Sequence, residues 1–231
     1  MAASSAERIA TQSAPERVAG VLRDELLDGA HPVGSRFREE DLAKRFDVGR
    51  HTVRSALRLL VERGLVVHER NRGAVVAPLS RRRIDEVFDY RKVLELGALD
   101  MALARNADFG QALREVRRLE ALARRTHGPS WRELTGVHSA IHRAIVAAAG
   151  NQHLLDSYQR CEDEVRLLLT FIRPDFDAAR LAVVHRELID KLALGGQVAT
   201  EALIADIDGA GRAALLTALR RAEESARLIG R

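Results

Sequence analysis

His138 and His142 stand four residues apart inside an amphipathic pattern, which sets both imidazoles on one helix face. Their Cβ atoms are then about 6 Å apart, a separation from which two rings can ligate one ion. Neutral imidazole suits Zn2+, Ni2+, Mn2+ or Fe2+ alike, so donor type leaves the metal open. The competing reading is two histidines on a partly exposed helix, satisfied by water or carbonyls. Arg50 and Arg54 are also four apart, and the opposite helix face is apolar through Val53, Ala56 and Leu57. An arginine fork bridges guanine O6 and N7 or grips a phosphate. Arg91 and Glu95 have the same spacing, and here two readings stay open. The guanidinium either takes the carboxylate of a ligand or pairs with Glu95 one turn on. Arg166 is a second candidate for an acidic ligand.

These side chains belong to a chain of 231 residues, 46% hydrophobic and 30% charged, the balance of a globular protein that buries a core. No stretch approaches the roughly 20 apolar residues of a membrane helix, and no membrane role is expected. The first nineteen residues lack the apolar run of a secretory signal. The single cysteine, Cys161, excludes an internal disulfide framework, and a cytoplasmic location is the expectation. Net charge is only +4, but residues 35–83 hold thirteen Lys or Arg against six Asp or Glu. Basic charge concentrated in one segment is what phosphate binding produces.

Residues 1–15 read as a flexible tail rich in Ala and Ser. Helical spacing starts at Glu16, runs through Val18, Val21, Leu22 and Leu26, and stops at Gly29. A second short helix covers 40–46, with Asp47–Val48–Gly49 as its break, and a third covers 50–63, with Gly64 just past its end. Two β-type runs, 65–67 and 74–76, flank Asn71–Arg72–Gly73. Pro78–Leu79–Ser80 reads as a linker. Beyond it lie only amphipathic helical patterns, with breaks near 106–108, 126–130, 150–151, 173–175, 195–196 and 209–211. Fold class is therefore mostly α: a winged helix-turn-helix with a small β-hairpin at 16–79, then an all-α bundle of six or seven helices at 80–231. In the first domain the second helix braces the third, whose N-terminal residues meet the base edges. Leu167–Leu168–Leu169 and Leu215–Leu216 exceed what a monomeric bundle needs, which predicts a dimer. His127 and His153 fall at helix ends, and His31 and His68 in surface loops.

The runs Pro32–Val33–Gly34–Ser35–Arg36–Phe37–Arg38–Glu39–Glu40–Asp41–Leu42–Ala43 and Asp47–Val48–Gly49–Arg50–His51–Thr52–Val53–Arg54–Ser55–Ala56–Leu57, with Glu62–Arg63–Gly64–Leu65–Val66 and Arg72–Gly73, resemble the DNA-binding domain of GntR-family transcription regulators. The resemblance spans nearly all of residues 16–79. It implies DNA contacts from Arg38, Gly49, Arg50, His51, Arg54 and Arg72, and binding to near-palindromic operators as a homodimer. Gly49 departs from the family's usual Ser or Thr, which removes a side-chain phosphate contact.

Tyr90–Arg91–Lys92–Val93–Leu94–Glu95, the run from His142 to Asn151, and His185–Arg186–Glu187–Leu188–Ile189 are similar, more loosely, to the FCD effector domain of the FadR-like branch. That resemblance implies a central cavity in which one Asp and three His hold a divalent metal and a small organic acid. In this chain His142 takes the first histidine position, and His138 stands where the family has Asp. His185 takes the third position. The fourth falls on Ile207 without gaps, or on Asp206 after a one-residue shift in the Gly195–Gly196 turn. The set His138, His142, His185 and Asp206 is then still three imidazoles and one carboxylate. The expected protein is a cytoplasmic, ligand-responsive, dimeric regulator of transcription. Its rivals are a metal-dependent enzyme using the His/Asp site and a metal-free architectural DNA-binding protein.

Overall fold

The computed structural model describes residues 12–175 and 177–229, in two compact units that divide between Pro78 and Leu79. In the first unit, α1 (Ala14–Leu27) begins earlier than the tail expected over 1–15 allows. Ser13 accepts a hydrogen bond from the Glu16 amide while the Glu16 carboxylate accepts one from the Ser13 amide, and Pro15 sits in the first turn. The remainder of that expected tail, residues 1–11, lies outside the described residues. Helix α2 is Glu39–Phe46 and α3 is Arg50–Glu62. Asp47, left-handed at φ 51°, turns the chain between them. Leu22 and Leu26 of α1 and Val53, Leu57 and Leu60 of α3 form the buried seam.

Strand β1 (Val66–Glu69) pairs antiparallel with β2 (Gly73–Val76), in register Val66 with Val76 and His68 with Ala74. Asn71 and Gly73 take the positive φ that the connecting loop requires. The segment before α2 joins this hairpin: the Phe37 amide donates to Ala74 O, and the Val76 amide to Ser35 O. The wing and the start of α2 are thereby fixed to each other. His31, expected on the surface, is half-buried, with Nε2 2.8 Å from Glu25 Oε2 and its ring edge-on to Phe37. Glu25 also accepts from Arg45, which ties α1 to α2.

Hydrogen bonding from Arg45 holds the Glu25 carboxyl at about 2, well below its ordinary 4.5. A carboxylate depressed on folding stabilises fully above its unfolded pKa and loses that contribution as pH falls through the folded value. We expect Glu25→Gln to be less stable than the parent near pH 6, with the difference vanishing as pH falls from about 4.5 toward about 2. Urea midpoints across that window test it; a gap independent of pH would remove the carboxylate from the ledger.

The second unit contains seven α-helices among the described residues: α4 (Arg81–Ala104), α5 (Gly110–Ala123), α6 (Trp131–Ala147), α7 (Gln152–Leu169), α8 (Ala178–Leu194), α9 (Gly196–Ile204) and α10 (Ala213–Ile229). Their starts are written locally. Ser80, Ser130, Asn151 and Asp177 each accept backbone amides at the first turn of α4, α6, α7 and α8. Ile84 and Phe88 of α4, Ile141 and Ile145 of α6, Leu168 of α7, Leu188 and Leu192 of α8, and Leu203 meet in one apolar core.

Two expectations are corrected here. The break near 209–211 is absent; residues Ala205–Arg212 form a π-helical segment joining α9 to α10. A Cβ on Gly211 would stand 2.7 Å from the Phe88 ring, so this glycine serves close packing against α4. The leucines at 167–169 are also not surplus surface. Each is at most 2% exposed within the single chain, and Leu215 is fully buried. These four offer no face to a second copy, whereas Leu216 is half-buried.

Candidate functional site

In the first unit, the segment joined to the wing places Arg38 at the N-cap of α2 and the tight turn places Gly49 at the N-cap of α3. Gly49 has φ −67° and makes no side-chain cap, so the first amides of α3 stay open to an anion. Arg50, His51 and Arg54 are exposed along the start of α3. Arg72, at the hairpin tip, pairs with Glu69 at 2.7 Å and donates to Gly34 O. All six expected DNA-facing residues thus lie on the exposed start of α2, the start of α3 or the wing. For a contact to a base edge, Arg50→Ala and Arg54→Ala are each expected to weaken operator binding by about 1–3 kcal/mol. Titration at fixed salt checks this, and unchanged affinity in both variants would remove α3 from the interface.

In the second unit, α6 carries His138 and His142, α8 carries His185, and the π-helical segment carries Asp206. The three imidazoles offer ligand nitrogens within 4.8 Å of one another, and all three rings are buried. Asp206 Oδ2 lies 3.6 Å from His142 Nε2, and Oδ1 lies 3.8 Å from His185 Nε2. Ile207 is fully buried in the apolar core, so of the two positions left open by the sequence it is Asp206 that faces the histidines. His138, His185, Asp206 and Arg91 line a cavity of about 450 Å³, closed on its apolar side by Leu169, Ile172, Leu181 and Val184.

The hydrogen bonds fix which nitrogens carry protons. His142 Nδ1 is 3.0 Å from Glu95 Oε2, and His185 Nδ1 is 2.8 Å from Leu181 O. Carboxylate and carbonyl only accept, so both Nδ1 atoms donate, and in the neutral tautomer this dictates, each Nε2 is the free ligand atom. Those two Nε2 atoms face each other at 3.3 Å, beside a carboxylate. Two ring nitrogens so placed can share one proton or ligate one cation. Burial, reinforced by the neighbouring histidines, holds His138 well below the ordinary histidine range; burial also lowers His185. Unprotonated imidazoles plus one carboxylate fit a divalent ion.

Arg91 pairs with Glu95, as one sequence reading has it, and also lines the cavity that the other reading requires. Arg91 is 2% exposed and Glu95 fully buried; Arg91 Nε donates to Glu95 Oε1 at 2.5 Å. Arg91 Nη2 has no hydrogen-bond partner among the described residues, stands 3.9 Å from Asp206 Oδ2, and the residue lines the cavity. Burial opposes ionisation of Glu95, but the Arg91 charge and His142 outweigh it and keep the carboxyl below its ordinary range. The sequence treated Glu95 only as a rival partner for Arg91. Its second bond, to His142, was missed because nothing in the spacing joins α4 to α6. Arg166 is buried on α7 and is not among the residues lining the cavity. His127 and His153 are exposed, away from the cluster.

A basic winged helix-turn-helix joined to a separate helical domain, whose mostly apolar cavity carries a few titratable side chains, has the make-up of a DNA-binding regulator. The family described as bacterial regulatory proteins, gntR family, matches residues 14–76, and the FCD domain matches residues 86–210. The chain belongs to the GntR family, with an FCD domain as its second unit. It is 29% identical, over 77% of its length and 80% of the relative's, to a "Probable D-xylose utilization operon transcriptional repressor" of Paenarthrobacter nicotinovorans. It is 30% identical to the HTH-type transcriptional repressor GlaR of Escherichia coli (strain K12), over 62% of this chain and 66% of that one. A GntR regulator structure from Rhodococcus sp. RHA1 superposes with TM-score 0.72 and 28% identity, covering 89% of this chain and 99% of that one. The protein is a transcription regulator and not an enzyme. No helix among the described residues is long and apolar enough to cross a membrane.

Proposed function

We propose that this regulator binds a near-palindromic operator as a homodimer in the cytoplasm, and that a small organic acid held at a divalent ion in the helical domain changes its hold on DNA. The observation that carries the sensing half is the pair of facing Nε2 atoms beside Asp206, on the wall of a cavity that Arg91 also lines. His138, His142, His185 and Asp206 hold the ion, which supplies an electrophilic anchor for an oxygen of the acid. Arg91 Nη2 donates to the acid's carboxylate. The acid acts by preferring one of two placements of the winged units, since only a difference in affinity moves such an equilibrium. The repressor names of the two relatives support repression as the outcome.

Operator titration with the metal-loaded protein tests the reading, against a panel of small hydroxy- and dicarboxylic acids. At least one acid is expected to shift operator affinity by roughly fivefold or more, the lower bound of ordinary allosteric coupling. Chelation or His185→Ala should abolish that shift. A shift that survives both would leave a metal-free sensor built on Arg91. Sedimentation of the intact chain reports the dimer.

A further inference from the structure

The two guanidiniums at the start of α3 are both already engaged by α2. Arg50 Nη2 pairs with Glu40 Oε1 at 2.8 Å, and Arg54 Nε donates to Glu39 Oε2 at 2.9 Å. Arg50, Arg54 and Glu40 are about 60% exposed, so both pairs stand on the open surface. The first turn of α3 carries no acidic residue, whereas that of α2 carries Glu39, Glu40 and Asp41. Paired carboxylates therefore sit inside the basic surface that carries the DNA-facing arginines.

We infer that Glu39 and Glu40 are specificity-determining residues, which withhold Arg54 and Arg50 from DNA that lacks the right base edges. An arginine that leaves a carboxylate for a phosphate exchanges one charge-assisted bond for another. It also leaves a bare carboxylate close to the DNA backbone, and the exchange is unfavourable. An arginine that leaves for guanine gains two acceptors, O6 and N7. The freed carboxylate can then accept from the amino group of a neighbouring cytosine. Both effects widen the gap between operator and other sequences by weakening the wrong complex, a recognised route to selectivity. The inference rests on Arg50 and Arg54 belonging to the DNA-facing set.

The test uses the intact chain, a duplex it selects from a randomised pool, and mixed-sequence genomic DNA as competitor. In Glu39→Gln/Glu40→Gln, affinity for mixed DNA is expected to rise about three- to tenfold, from the modest worth of exposed ion pairs. The salt dependence on mixed DNA should steepen by about one to two added phosphate contacts. Affinity for the selected duplex rises less or falls, so the ratio of the two affinities drops. A ratio unchanged or increased overturns the inference. An acidic first turn that merely steadies α2 would lower the unfolding midpoint and leave the ratio alone. Arg50→Ala and Arg54→Ala run in parallel. If they lose the selected duplex while the glutamine variant keeps its ratio, the carboxylate inference alone fails. If they bind both DNAs as the parent does, the DNA-facing assignment fails.

Discussion

Protein purified without chelator or affinity tag is expected to carry one divalent ion per chain, and His142→Ala and His185→Ala are expected to lose it. Each of these imidazoles has its Nδ1 proton committed to an acceptor and its Nε2 atom turned to the other. Deleting either removes half of the closest donor pair. Asp206→Ala should weaken the site less, because water can replace a carboxylate oxygen. Protons should compete for His138 and His185 only below about pH 6.5, since both are held below the ordinary histidine value. Affinity is therefore expected to be flat above that pH and to fall below it. Elemental analysis, followed by titration at about pH 7.5, decides the matter. An absence of ion in both would remove the metal and leave Arg91 as the anchor for an acid.

Glu95→Ala carries the second large effect. It deprives a fully buried guanidinium of its partner at 2.5 Å and leaves His142 Nδ1–H without an acceptor. Removing one partner of a buried ion pair costs about 3–5 kcal/mol, because the remaining charge stays desolvated. The same change frees the orientation of His142, and loss of such a supporting hydrogen bond lowers metal affinity by about 10–100-fold. Glu95→Gln retains a carbonyl oxygen able to accept from one of the two donors, so its losses should be smaller. Urea unfolding and metal titration of both variants report the two effects separately. A Glu95→Ala protein within about 1 kcal/mol of the parent would mean that Asp206 alone compensates Arg91.

The winged unit was largely legible because its signals are local. Gly64 past α3 and Asn71–Arg72–Gly73 in the hairpin each dictate a turn within a few residues. The start of α1 was misplaced because Ser13, Pro15 and Glu16 together make a cap that apolar spacing does not show. In the helical unit the i, i+4 pairs located His138/His142 and Arg91/Glu95, since helix geometry alone sets those distances. What escaped was everything that depends on which helices face each other. The Glu95–His142 bond crosses 47 positions, and the choice between Asp206 and Ile207 depends on local helical register. The burial of Leu167–Leu168–Leu169 likewise follows from where α7 sits, which composition does not state.

The wide-turned segment from Ala205 to Arg212 makes this protein unequally tolerant of changes in length. A π-helical turn holds one residue more than an α-helical turn of the same rise. Deleting one residue downstream of Asp206, at Gly209 for example, can be absorbed as ordinary α-helix while the carboxylate keeps its place. Deleting one residue within Ala199–Leu203 instead rotates all that follows by about 100°. That would bring an apolar side chain to the histidines and turn a charge into the core. Single-residue gaps should therefore be found on one side of position 206 and purged on the other.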